Sequence, residues 1–217
     1  MKPHRYRFCI GAVAVWIGGS ACQQWEHGTE LGGVLYQKVR VVEDEGDSPE
    51  GMSLYSIGLL DGSVDIDGRR YSGWMHRRRD GSIAGSTLAQ ATEVSGVPLP
   101  EGTWVVWDGA GALVRAHFPE NQVIQGHQVR GGAGGAKGIS TGFYPSGALR
   151  SFFGAEDIEV DGVPVQGTVF HPIELHEDGR LKRATLSRDF EMEGHEFIRG
   201  ESIEMAADGS LAASMNR

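Results

Sequence analysis

The chain has 217 residues, 29 acidic residues against 20 Lys and Arg for a formal net charge of −9, and 33 glycines. Its length suits one ordinary domain or one elongated array, and a hydrophobic fraction of 40 % is that of a folding chain rather than a disordered one. The acidic balance argues against nucleic acid as a partner, because phosphate backbones demand basic patches.

Residues 1–21 differ from the rest. Lys2, Arg5 and Arg7 form a basic start, Phe8 to Ile17 an apolar run, and Gly18-Gly19-Ser20-Ala21 a small-residue stretch ending at Cys22. This is the pattern of a secretory signal peptide, with an apolar run too short for a stable membrane span. Of the two cysteines, Cys9 would leave with that segment, so the mature chain would hold a single thiol and no internal disulfide. Loss of Lys2, Arg5 and Arg7 takes the formal net charge from −9 to −12. A protein so acidic is repelled by anionic headgroups and would need acyl chains to hold a membrane.

Ser20-Ala21-Cys22 resembles the lipobox of bacterial lipoproteins. The resemblance implies that Cys22 is acylated and becomes the new N-terminus, anchoring the protein to a membrane through N-terminal acyl chains. Gly19 stands where that family usually has Leu, and Gly19 with Ala21 also satisfies the small-x-small rule for cleavage to a soluble exported protein. Gln23, in place of the Asp that marks inner-membrane retention in such lipoproteins, points to the outer membrane, on its periplasmic or surface face.

Residues 22–33 read as a tether, and 34–217 as a β-repeat domain. Val34 to Val42 is valine-rich and strand-like, Glu43 to Glu50 is an acidic loop full of structure breakers, and Met52 to Leu60 reads as a second strand. No stretch has a convincing amphipathic helix period, and no change of composition marks a second domain.

From about Val64 a repeat governs the chain. Gly81 leads to Gly96, Gly111 to Gly126, Gly147 to Gly162 and Gly179 to Gly194, each interval being 15 residues, and Gly209 opens a fifth. The return leg is elastic: 15 residues from Gly96, 21 from Gly126, 17 from Gly162 and 15 from Gly194. Two residues after the first glycine stands a branched aliphatic: Ile83, Leu113, Leu149, Leu181 or Leu211. Seven after it stands Leu88, Phe118 or Leu186, with Gly154 as the exception. Val94, Ile124, Val160 and Met192 precede the second glycine by two, and Leu99, Val129, Val165 and Phe197 follow it by three.

Apolar residues bracketing an x-Gly pair predict hairpins with type I′ turns, in which both central residues need positive φ. Asp67-Gly68, Ser95-Gly96, Gln125-Gly126, Asp161-Gly162 and Glu193-Gly194 are those turns; the Asp80, Asp178 and Asp208 turns lie at the other end of the units. The fold expected is all-β: an antiparallel meander of repeated β-hairpins forming an extended single-sheet or solenoid-like array. The odd offset between the second and seventh positions requires either a bulge or two partly buried faces.

Candidate chemistry is sparse. Gly131 to Gly138 has the glycines of a phosphate loop, but Ala136 and Gly138 flank Lys137 where Gly and Ser or Thr belong, so a hairpin insertion accounts for it better. His171 and His176, with Glu174 and Glu177 nearby, carry metal-ligand chemistry but would converge only around a bend, and the Glu43–Glu50 loop lacks calcium-loop spacing. Arg77-Arg78-Arg79 could dock a carboxylate or anionic sugar, or simply charge an exposed strand. Trp104 and Trp107 could stack on a sugar if one strand face is open, or be covered on both sides. No nucleophile elbow is present, so no enzyme, cofactor or metal is expected.

Gly142-Phe143-Tyr144-Pro145-Ser146-Gly147-Ala148-Leu149 resembles bacterial MORN-like hairpin repeats, with weaker echoes at Asp178-Gly179-Arg180-Leu181 and Asp208-Gly209-Ser210-Leu211. The Tyr-x-Gly-x-Trp signature and the shorter period of standard MORN units are absent. The resemblance implies an extended β-scaffold or interaction surface without catalytic residues. The expected function is a non-enzymatic exported lipoprotein, a β-repeat scaffold or binding surface at the cell envelope for an unknown protein or envelope glycan. The alternative is a carbohydrate-binding envelope module using exposed aromatics such as Trp104 or Trp107.

Overall fold

The computed structural model describes residues 24–42, 54–132 and 138–212. The segment expected to be a signal peptide, Cys22, residues 43–50 and residues 133–137 of the Gly-rich stretch lie outside the described residues. Strands β1 (Glu26–Leu31), β2 (Val34–Val41), β3 (Leu54–Ile66) and β4 (Arg69–Arg78) open the fold. The first unit is β5 (Ile83–Leu88), β6 (Thr92–Val94), β7 (Val97–Leu99) and β8 (Trp104–Trp107); the second is β9 (Leu113–His117), β10 (Gln122–Ile124), β11 (His127–Val129) and β12 (Ser140–Phe143). The third is β13 (Leu149–Phe152), β14 (Ile158–Val160), β15 (Val163–Val165) and β16 (Ile173–Leu175); the fourth is β17 (Leu181–Thr185), β18 (Phe190–Met192), β19 (His195–Phe197) and β20 (Ser202–Glu204).

Each unit therefore makes two long-sheet strands with a short hairpin between them. The long sheet is a 12-stranded antiparallel meander ordered β1-β2-β3-β4-β5-β8-β9-β12-β13-β16-β17-β20, and the hairpins β6–β7, β10–β11, β14–β15 and β18–β19 are separate pairs. One apolar core joins the two layers. It holds Leu113, Ala116, Phe118, Phe143, Leu149 and Phe152 of the sheet region together with Val97, Leu99, Ile124, Val129, Val163 and Val165 of the hairpins. The expected all-β hairpin array is what the chain forms. The segment read as a tether contributes β1, which pairs with β2 from Glu26↔Val39 to Leu31↔Val34. Its polar sequence disguised it, because an edge strand needs little apolar surface.

All the predicted two-residue turns are left-handed at both positions. Asp67, Ser95, Gln125, Asp161 and Glu193 have φ between 49° and 53°, and the glycine after each is also positive. The other end of the units uses three-residue loops: Gly81 N–H donates to Arg78 O, Gly111 to Asp108 O, Gly147 to Tyr144 O, Gly179 to His176 O and Gly209 to Ala206 O. A glycine in the left-handed region after a type I turn is the usual closure of such a loop.

A bulge explains the odd offset. Val106↔Arg115 is followed by Trp107↔Leu113, and Glu174↔Arg183 by Leu175↔Leu181, so one extra residue, Val114 or Lys182, is inserted three positions after the glycine. The same shift occurs in β13 and β5. It turns the second, fifth and seventh positions to one face, and Leu181, Ala184 and Leu186 all enter the core.

Side chains then lock unit to unit. Gln125 Oε1 accepts from Leu149 N–H at 2.9 Å, Asp161 Oδ2 from Leu181 N–H at 2.7 Å, and Glu193 Oε1 from Leu211 N–H at 3.3 Å. Within units, Asn121 Oδ1 accepts from Gly131 N–H at 3.0 Å, Asp157 Oδ1 from Gly167 N–H at 2.9 Å and Asp189 Oδ1 from Arg199 N–H at 2.9 Å. At Gly131 and Gly167 the backbone passes so close to Glu120 O and Glu156 O that a Cβ would overlap those carbonyls. Because the obstacle is backbone, Gly167→Ala should lower unfolding free energy by about 3 kcal/mol, the range of an overpacked core site. Gly162→Asn, at a left-handed position with open space around it, should cost less than about 1 kcal/mol. Chemical denaturation of both variants checks the contrast.

Candidate functional site

The face of the long sheet away from the core is set by register. Arg40↔Ile57, Ile57↔His76, His76↔Gly85, Gly85↔Val106 and Val106↔Arg115 form one transverse row. The row continues through Gly142, Ser151, Glu174, Arg183 and Glu204. Directly opposed residues share a face, so this row displays side chains from β2 to β20. Toward the C-terminal end it is charged and paired: Arg183 bridges Glu174 and, at 3.7 Å, Glu204.

At the N-terminal end the face is aromatic and cationic. Lys38 lies opposite Leu59, and Leu59 opposite Trp74, one row from Arg40. Trp25, just ahead of β1, meets Trp74 edge to face with ring centroids 5.7 Å apart. Lys38 Nζ stands 5.3 Å from the Trp25 ring centre and 5.1 Å from that of Trp74, and the Arg40 guanidinium stands 5.2 Å from Trp25. Trp74 is 37 % exposed. Below this cluster Val42, Ile57 and Ala84 form a small second core on which Trp25 packs. Residues so far apart in the chain meet only through the β2–β3–β4 register, which is why no sequence window displays them.

The tryptophans singled out from sequence are elsewhere. Trp104 and Trp107 are buried at 2 % and 3 % exposure, Trp104 against His76 with centroids 5.0 Å apart and Trp107 beneath the Arg69 guanidinium at 4.6 Å. Their strand is covered on both sides, and neither ring is open to a sugar.

Of the three arginines, two are occupied by backbone. Arg77 donates to Leu31 O and Gly32 O at 3.2 Å and to Gly81 O at 2.8 and 3.0 Å, clamping β1 to the β4–β5 turn. Arg78 donates to Ile83 O at 2.8 Å and to Trp107 O. With Arg79 they line a cavity of about 300 Å³ that also includes Tyr55, Ser56 and Asp80.

His176 is tied by Nε2 to Met205 O at 3.0 Å and lines a cavity of about 170 Å³ with Glu174, Lys182, Arg183 and Glu204, whereas His171 is exposed on the preceding loop and does not line it. Among the described residues no group of three or more His, Cys, Asp or Glu could hold a metal ion. That same loop, in the elastic leg of the third unit, carries Val169 and Phe170, 46 % and 81 % exposed.

No family model, curated protein or solved structure matches the chain.

One buried group has a pH consequence. Burial under the aromatic face pushes the His76 pKa from 6.5 down to about 4. The imidazole is neutral in the fold and binds a proton more readily when unfolded, so its contribution is intact above pH 6.5 and is lost as pH falls from 6.5 toward 4. The loss is on the order of 3 kcal/mol. Denaturation midpoints measured across that window should fall with pH, and His76→Gln should flatten the slope.

Proposed function

We propose that the protein is a non-enzymatic exported lipoprotein whose β-repeat array serves as a scaffold and binding surface at the bacterial cell envelope. The observation that carries this reading is the division of labour within the units. Every turn, bulge and side-chain lock goes into a stiff two-layer array, and the elastic leg of the third unit holds Phe170 at 81 % exposure. An apolar ring held out by a rigid frame is the usual anchor of a protein contact. The MORN-like resemblance of Gly142–Leu149 supports the same reading, as does the lipobox-like Ser20-Ala21-Cys22.

The carbohydrate reading is kept as a second one, because Trp74 offers an open ring beside Trp25. It moves from Trp104 and Trp107 to that pair.

Palmitate labelling of cells should mark the protein and fail for Cys22→Ser; an unlabelled parent overturns the anchor. A photocrosslinking residue at position 170 should yield a discrete adduct with an envelope protein. The same probe at Val123, on β10, serves as control, and adducts from both positions alike would argue against a specific surface.

A further inference from the structure

We propose that Trp25, Lys38, Arg40 and Trp74 form a binding site for an anionic saccharide, a sugar ring bearing a carboxylate or phosphate. This inference rests on the carbohydrate reading and specifies its ligand.

Lys38 and Arg40 lie on one face of β2, and among the described residues neither forms an ion pair with a carboxylate or a hydrogen bond to the protein through its side chain. Arg183, on the same face farther along, by contrast bridges Glu174 and Glu204. His27 sits opposite Lys38 across the β1–β2 ladder and adds a further imidazole to the patch.

Arg40 Nε is shut off from water with no acceptor among the described residues, so a solute reaches this guanidinium only at its two terminal nitrogens. Ring contacts at about 5 Å hold both cations by their charge, but a ring supplies no oxygen acceptor for ammonium or guanidinium N–H groups. A carboxylate or phosphate on the solvent side supplies oxygens for both cations at once, the guanidinium taking two in a fork.

Trp25 and Trp74 meet edge to face, so a sugar laid on the exposed Trp74 ring has the second ring standing as a wall and Lys38 between the two. Packing alone explains Trp25, which closes the small core of Val42, Ile57 and Ala84. It does not explain an exposed Trp74 flanked by two cations that have no acid partner among the described residues. The hydroxyls of a neutral sugar can accept from these N–H groups but leave both positive charges uncompensated, so the charge pattern favours an acidic one.

The full chain, purified as the cell makes it, is applied to immobilised oligogalacturonate and phosphorylated oligomannose, each beside its neutral parent. Retention of either acidic glycan, at least about tenfold above its parent and falling with salt, is expected, that being the worth of one hydrogen bond between charged groups. Trp74→Ala and Lys38→Met should each remove about tenfold of it, while the circular dichroism melt of each variant stays that of the parent. The two acidic arms tell a carboxylate from a phosphate ligand. Equal retention of acidic and neutral glycans, lost in Trp74→Ala, overturns the anionic assignment and leaves the carbohydrate reading standing. No retention of any glycan, or retention unchanged in both folded variants, overturns the site itself.

Discussion

Every unit turns on a two-residue reversal in which a residue other than glycine is held left-handed. That conformation costs roughly 1–2 kcal/mol for a side chain that crowds the following carbonyl. Glycine would remove the cost at Gln125, Asp161 and Glu193, yet each is a long or acidic polar residue. The reason is the next unit: their side-chain oxygens receive the N–H of Leu149, Leu181 and Leu211, the first core residues of the units that follow. The strained position is thus also the position that sets spacing between units. Gln125 adds a second bond, donating Nε2 to Gly147 O at 2.8 Å. An array stabilised by nearest-neighbour contacts depends on such couplings, because each unit alone leaves its apolar face open.

The two faces of the long sheet have different tasks as a result. The inner face is buried and repetitive, and its aliphatics recur at equivalent offsets because the hairpin layer lies over them. The outer face repeats in geometry but changes in chemistry along the array. Arg183 with Glu174 and Glu204 satisfies its own charges at one end, whereas Lys38 and Arg40 at the other face tryptophan rings. The frame is regular, and the chemistry of its outer surface is not.

Much of the frame was legible in the sequence. The x-Gly pairs gave the left-handed turns at Asp67, Ser95, Gln125, Asp161 and Glu193, because so few residue types tolerate that geometry. The odd spacing between Leu181 and Leu186 already required a bulge or a second buried face, and the ladder contains the bulge. What could not be read was which strand faces are covered. Trp104-Val105-Val106-Trp107 puts one tryptophan and one valine on each face, and both faces of β8 are buried, but local pattern does not count layers. Trp74 stands in a polar stretch that reads only as an exposed strand until the register places it beside Trp25 and Lys38. The locks at Asn121, Asp157 and Asp189 did leave a signal, since each stands ten residues after the first glycine of its unit.

The elastic leg lengthens at a definite place, and geometry explains where. Six residues after the second glycine, Gly102, Gly132 and Gly200 donate N–H groups at 2.9 Å to the carbonyls of Leu88, Phe118 and Leu186, the seventh-position residues of their units. Up to that bond the backbone is held by the hairpin on one side and the core on the other. In the first and fourth units Gly102 and Gly200, with φ of 82° and 90°, turn the chain almost directly into β8 and β20. In the second unit the chain runs on from Gly132 before β12 begins at Ser140, and in the third it runs on from Gly167 through Phe170 before β16 begins at Ile173. Added residues are therefore tolerated only after the last contact with the hairpin layer, where they disturb neither register nor core. The fixed leg has no equivalent gap: it runs from a turn through a bulged strand and a core residue into the next turn. Variation is thus confined by packing to loops on the surface of a frame that does not change.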